Sequence, residues 1–489
     1  MTRGGRAAIA PRAAAVLAVA LAAGCGPAVL WSGHTPDRRH RIEVIEEDGI
    51  HWVLVDGRRR SGHRAIAAWT IAASEDGEHI AYAARRGESW VVVHDGRPGQ
   101  PWDGVGEIAL GPAGHLAHAA ESEGRWRVVV DGRPGPPFEA ILAGTLRLVA
   151  APGGGVRAVY AARSRRGVHV VVDGEVGPAW SGVGQLAVSA DGAAVAYAAR
   201  RGRRAHVVVG GAIGPPADAI ARLTLAPRGG QVAYAARSGS AWRVIAGGEE
   251  SGPYDEVRAI AFSPDGARVA WIARAGYSDL VVEGGALVES APAIRGDSLA
   301  FAAGGELVYA VRERGGGERV VRGGEAGPRY DEVGPVAVSP DGRRVGYPAR
   351  RGGTWVVAVD GEELPGGAWV STPVFSPDGR RVAYLARRKG VSGVFAVVDG
   401  RAHRFDLAMD GTLVFSRDGR RWSVLAGDLA EERLYFAVDG VPREPLSTRE
   451  IYSAAARAAA RGPAAALEPG GDLLRAWSQA EADKPPPRR

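Results

Sequence analysis

The feature that most constrains this chain is a self-similar unit of about 38 residues that recurs along almost its whole length. One anchor is a run of β-branched residues closing on Asp-Gly, as in WRVVVDG from Trp126 to Gly132. Its counterparts put the Asp position at Asp56, Asp95, Asp131, Asp173, Gly210, Gly247, Glu283, Arg322, Asp360, Asp399 and Asp439, in steps of 36 to 42 residues. A second anchor, Ser-Pro-Asp-Gly or a degenerate form of it, recurs in phase at 74–77, 189–192, 263–266, 339–342, 376–379 and 416–419. Weaker copies stand at 111–114, 151–154, 226–229 and 302–305. Units this short cannot bury an apolar face alone, so they must stack on their neighbours.

Between the anchors the text is equally regular. After Ser-Pro-Asp-Gly comes a strand such as Arg381 to Ala386, then a polar turn like Arg350 to Gly353, then the valine-rich strand, then Gly-Pro with an aromatic and an acid, as in Gly252 to Val257. Each unit thus holds four short strands. The 71 glycines and 31 prolines fit many short elements joined by turns, and 46% hydrophobic content is ample for a core. In Ser-Pro-Asp-Gly the proline fixes the first corner, Asp tolerates the second and Gly supplies the positive φ that follows, which makes a tight hairpin. A calcium loop needs several oxygen ligands close in sequence, and each unit offers one Asp, so no metal site is expected. The fold class is therefore all-β: a β-propeller of about ten four-stranded blades over 42–446, as one large ring or two smaller ones. The most degenerate unit, near Glu289 to Gly305, is the candidate seam.

The segments FSPDGARVAW (Phe262 to Trp271), VSPDGRRVGY (Val338 to Tyr347) and FSPDGRRVAY (Phe375 to Tyr384) resemble the TolB-like, or WD-repeat-like, bacterial propeller repeat. The resemblance covers roughly 42–440 and implies blade structure. It implies little about function, because such repeats serve translocation proteins, oligopeptidases and many envelope proteins.

Residues 1–24 carry Arg3, Arg6 and Arg12, then an uncharged run from Ala13 to Ala23, then Gly24 and Cys25. This is the pattern of an export signal, and eleven apolar residues are far short of the ~20 that span a bilayer. The junction resembles a bacterial lipoprotein signal, with Cys25, the sole cysteine, as the lipidated residue. Leucine stands four residues before it, where that signal has leucine three before. Gly26, where Asp would retain a lipoprotein in the inner membrane, implies the outer one. Residues 25–41 read as a tether, with Pro27, Gly33 and Pro36 against regular structure. At the other end, 447–489 reads as a short helix opened by a capping box at Ser447 to Glu450, followed by a disordered tail, with Leu467 to Trp477 as a candidate partial blade.

The formal charge is +6, and removing the export segment leaves about +3. No basic block is visible, so nucleic acid is not an expected partner. No catalytic residue is assigned: Gly390 to Val394 misses the spacing of a nucleophile elbow, and fewer than 50 residues follow the last full unit. His115 and His118 lie three apart, on opposite faces of a strand, and are not expected to share a metal. No cofactor is expected. Trp102, Phe138, Trp180, Tyr254 and Tyr330 follow Gly-Pro in their units and read as packing between blades rather than as a ligand platform. Two functions remain: a non-enzymatic envelope lipoprotein that binds protein or envelope components, with a lipid anchor in the membrane, or a propeller enzyme or carbohydrate-binding protein using the channel.

Overall fold

The computed structural model describes residues 28–35, 40–228, 230–416, 418–430 and 433–445. They form eleven antiparallel sheets in succession, each a meander whose sheet order follows chain order. These blades, numbered 1 to 11, span 28–63, 66–102, 104–134, 140–176, 182–213, 219–254, 256–291, 293–326, 332–367, 369–405 and 407–445. Strands are lettered a to d within each blade. The a strands of blades 2 and 3, 5 and 6, and 6 and 7 touch one another, whereas the d strands of blades 1, 2, 6, 9 and 10 meet the b strand of the next blade, so a lies inside and d at the rim. This is the multi-blade propeller architecture expected. Among the described residues no helix is long and apolar enough to cross a membrane. The export signal, Cys25 and the C-terminal helix, partial blade and tail lie outside the described residues.

The tether reading of 25–41 is corrected in part. Ala28–His34 is a strand that pairs with Arg41–Glu47, from Ala28 opposite Glu46 to His34 opposite Arg41. Thr35 follows it and behaves as the serine of the second anchor does: its N–H donates to the His40 carbonyl and its Oγ1 accepts from the His40 N–H, at 3.0 and 3.2 Å. Thr35 thus takes the part of the anchor serine, and Ala28–His34 completes the blade that turns at Asp56, giving eleven sheets among the described residues where about ten blades were expected.

Inside each blade the second anchor folds as predicted. Ser263 Oγ donates to Asp265 Oδ1 at 2.5 Å and accepts from the Arg268 N–H at 2.9 Å, and Gly266 follows at φ +75°. The serine is fully buried, so its hydroxyl satisfies a strand N–H that would otherwise be orphaned. The c–d turns are type I′, with Asp131 at φ +47° and Gly132 at φ +78°, the geometry that matches strand twist. That geometry corrects two register assignments. In blades 7 and 8 the positive-φ pairs are Gly284-Gly285 and Gly323-Gly324, so the Asp equivalents are Gly284 and Gly323, one residue beyond Glu283 and Arg322.

Strand a is interrupted midway in most blades, by a bulge or by a break that splits it in two. A buried hydroxyl bridges several of these gaps: Thr70 Oγ1 donates to the Ala67 carbonyl and accepts from the Ala83 N–H.

The core lies between blades rather than within them. Blade 10 supplies Leu385, Val394 and Phe405 to one cluster and blade 11 supplies Trp422, Val424 and Ala437. Each such side chain, fully buried, contributes about 1.5–3 kcal/mol. Equivalent clusters join every consecutive pair of blades. They include blades 7 and 8, where Ile294 and Phe301 pack on Ile272 and Val281, so the expected seam at 289–305 is no break in the core. The rim is protected by brevity: strand d is only two residues long in blades 3, 4, 5 and 8.

Candidate functional site: the histidine groove between blades 2 and 3

Because each blade is a meander, its a–b and c–d turns share one end and its b–c turn and d–a connection share the other. At the first end a charged pair recurs. The Asp of the c–d turn accepts the first N–H of strand b through Oδ1 and meets the side chain just before that strand through Oδ2. In blades 1 to 3 the partner is histidine: His40 with Asp56, His79 with Asp95 and His115 with Asp131, each Nδ1 to Oδ2 at 2.7 Å. In blades 4, 9, 10 and 11 it is arginine: Arg157 with Asp173, Arg344 with Asp360, Arg381 with Asp399 and Arg421 with Asp439, at 2.7–3.0 Å. In blades 7 and 8, where Gly replaces Asp, the pair moves one residue upstream. Arg268 then meets Glu283 at 3.0 Å, and in blade 8, with the charges exchanged, Glu306 meets Arg322 at 2.6 Å.

The arginines also tie one blade to the next. Arg157 Nη1 donates to the Gly192 carbonyl at 2.6 Å, and Arg381 Nη1 to those of Gly419 and Arg420 at 2.9 and 2.7 Å. Arg268 reaches Gly305 in the same way. Arg268, Arg344 and Arg381 also lie over Phe301, Phe375 and Phe415 of the following blade, 5.1–5.5 Å from the ring centres.

Between blades 2 and 3 this regular end is modified twice. The residue before the turn Asp is valine in seven blades (Val55, Val130, Val172, Val209, Val359, Val398 and Val438), but in blade 2 it is His94. Its ring lies 6.0 Å from that of His79, and its Nε2 is 3.6 Å from Asp95 Oδ2, buried and without a hydrogen bond. Asp95 is partly buried, which pushes its carboxyl up, but the bonds from His79 and Ile80 outweigh this and hold it below the usual range. The second change is in strand b. Tyr82, Tyr160, Tyr197, Tyr234, Trp271, Tyr309, Tyr347 and Tyr384 occupy one position, and blade 3 has His118 there.

His118 is 5% exposed, its two ring nitrogens have no partner, and burial pushes its pKa down to about 4, so the ring is neutral. It lies against Trp102 edge to face at 6.3 Å. Elsewhere the phenol reaches the Gly-Pro segment of the preceding blade, as when Tyr384 donates to the Pro365 carbonyl at 2.6 Å. Between blades 2 and 3 lies a groove of about 280 Å³ lined by His94, Arg97, Gly99, Trp102, His118 and Asp131.

The residues singled out in the sequence fall into place around this site. His115 and His118 have separate surroundings: His115 faces Asp131 at the blade end and His118 is inside the groove. Trp102, Phe138, Trp180, Tyr254 and Tyr330 are at most 9% exposed and fill the wedges between blades. The acid after them caps the b–c turn, as when Asp331 accepts from the Gly352 N–H at 2.8 Å. Residues 390–394 are the b–c turn and strand start of blade 10. Sequence reading missed His79, His94 and Asp95. The signal available was the cation 15 to 18 residues before each turn Asp, visible once the repeats are aligned by turn geometry.

The opposite end carries exposed arginines in two adjacent blades. Arg163, Arg166, Arg200, Arg201 and Arg203 are exposed at the b–c ends of blades 4 and 5, and none has a carboxylate partner among the described residues. Arg201 lies over Trp180 at 4.7 Å. Ser181, whose hydroxyl donates to the Arg200 carbonyl, stands where other blades place the acid.

No family model matches the chain, and no curated protein matches it. Among solved structures it is similar to a eukaryotic initiation factor (13% identity, 71% of this chain and 90% of that one, TM-score 0.36). It is also similar to TolB from Acinetobacter baumannii (14%, 54% and 80%, TM-score 0.26) and to the dihydro-heme d1 dehydrogenase NirN in complex with DHE (19%, 59% and 71%, TM-score 0.32).

Proposed function

We propose that this protein is a non-enzymatic lipoprotein of the bacterial envelope, anchored by Cys25, whose blade array is a rigid scaffold for an acidic envelope partner. The observation that carries the reading is the uncompensated arginine group at the b–c ends of blades 4 and 5, with Ser181 in place of the neutralising acid. Unpaired arginines at the blade ends of a stiff scaffold suit carboxylate or phosphate recognition, since the guanidinium fork needs little further ordering. The N-terminal signal pattern supports the envelope address, with the outer membrane as the destination.

The test is affinity capture from membranes of the native host, with a Cys25→Ser chain as the unanchored control. Replacing Arg163, Arg166, Arg200 and Arg203 together by Ser should abolish enrichment of the captured partner, and raising salt should weaken it. Capture that is indifferent to the quadruple substitution would sink this reading. A second reading, a sugar- or small-molecule-binding propeller, is favoured by the unpartnered nitrogens of His118 in the groove. Thermal shifts with small ligands that vanish in His118→Tyr would support it.

A further inference from the structure

We propose that His79, His94 and Asp95 form a binding site for a divalent transition metal of the zinc, nickel or copper class. One donor atom from each lies within 4.8 Å of the other two. Metal-bound nitrogen and oxygen sit about 2.0–2.2 Å from zinc, which puts tetrahedral donors roughly 3.3 Å apart. Asp95 Oδ2 is already 3.6 Å from His94 Nε2 and 2.7 Å from His79 Nδ1. Small rotations of two imidazoles therefore bring the set to bonding distance, and the proton between His79 and Asp95 passes to His79 Nε2, which leaves Nδ1 and Oδ2 free to bind. Two nitrogens and one carboxylate oxygen select a borderline-soft cation over calcium or magnesium, which take oxygen ligands.

Three independent features point to a built site. His94 Nε2 is buried with no hydrogen bond, a state that a metal would relieve. The carboxylate is aimed by its other oxygen, since Asp95 Oδ1 accepts from the Ile80 N–H at 2.9 Å while the backbone is held at φ +49° in the type I′ turn. The repeats also show that side chains at the positions of His79 and His94 reach each other, because their equivalents in blades 7 and 8 are the ion pairs Arg268–Glu283 and Glu306–Arg322. Blades 1 and 3 carry the same His–Asp pair but have Val55 and Val130 in place of His94, so the two-histidine set is confined to blade 2. His94 also lines the groove, which places the metal at its mouth.

The experiment is titration of tag-free, chelator-treated protein with Zn(II) by calorimetry and with Co(II) by visible absorption, alongside His94→Val. Valine is the residue seven other blades use there, so this variant should keep its melting temperature. The intact protein should bind one equivalent of Zn(II) that Ca(II) does not displace, with a tetrahedral Co(II) spectrum, and His94→Val should lose both. Val130→His should add a second equivalent in blade 3. No saturable binding by the intact protein, or binding that His94→Val leaves unchanged, would overturn the proposal.

Discussion

Arg381 and Asp399 of blade 10 lie 2.7 Å apart, and the same guanidinium donates to two carbonyls of blade 11. One side chain therefore fixes a turn within its blade and the seat of the next blade. Arg381 is 30% exposed and Asp399 43%, so the charge pair itself contributes little, about 0–1 kcal/mol. The bonds to the carbonyls and the cover over Phe415 add about 1–2 kcal/mol. Arg381→Ala should lower thermal stability by that combined amount, and Arg381→Lys should restore only part of it, because a single ammonium cannot fork. Equal melting of wild type and Arg381→Ala would show that the clamp contributes nothing.

The turn residue of this pair yields an ordering. Asp399 adopts φ +49°, and in four blades the same position is Gly. Asp399→Gly should be the milder change, losing the bonds to Val382 and Arg381 but no backbone comfort. Asp399→Ala loses the same bonds and adds about 1–2 kcal/mol of left-handed strain. Denaturant unfolding of the two variants should rank Gly above Ala in stability, and the reverse order would refute the turn account.

The period, the four-strand unit and the wedge-filling aromatics were legible in the sequence because each is a local pattern that every unit repeats. The first strand of blade 1, Ala28–His34, was hidden because threonine rather than serine follows it and the prolines and glycine around it read as a tether, although Asp56 already marked that blade's turn. Glu283 and Arg322 read as turn residues because they end valine-rich strands, and only backbone angles show that Gly284 and Gly323 turn the corner. His94 stands out as an odd letter in a valine position. Its meaning depends on the antiparallel register that sets it opposite Ala81, two residues beyond His79. The arginine group was partly legible, since Arg200, Arg201, Arg203 and Arg204 fall within five residues; only the strand order places Arg163 and Arg166 at the same end of the adjacent blade.

His118 gives a pH dependence with a definite sign. Its pKa falls from 6.5 to about 4 on folding, so between those values the unfolded chain binds more protons than the folded one. Stability contributed by the neutral ring is fully present above pH 6.5 and is lost as pH falls toward 4, by about 3 kcal/mol in all. His118→Tyr, which restores the aromatic of the other blades, should remove this loss and raise stability at pH 5 more than at pH 7. Equilibrium unfolding at the two pH values measures the difference, and an identical gain at both would mean that protonation of His118 is not involved.

The glycine that closes the second anchor has two duties, of which the sequence reveals one. Gly192 has φ +67°, but it also lies so close to blade 4 that an added Cβ would collide with the Ala150 carbonyl oxygen. Gly144 has a similar angle, φ +74°, with nothing within 4 Å of its Cβ position. Both Ala substitutions therefore carry similar backbone strain, about 1–2 kcal/mol, and only Gly192→Ala also forces two blades apart. Displacing a backbone carbonyl from its neighbour exposes part of the shared core around Val159 and Tyr197, which should add about 2 kcal/mol or more. Because each blade is held mainly by its neighbours, that loss should appear as local opening between blades 4 and 5 rather than as uniform loosening. Hydrogen exchange should show faster exchange in Val156–Ser164 and Val195–Arg201 for Gly192→Ala and not for Gly144→Ala. If the two variants lose equal stability, the close approach between blades is not what requires glycine there.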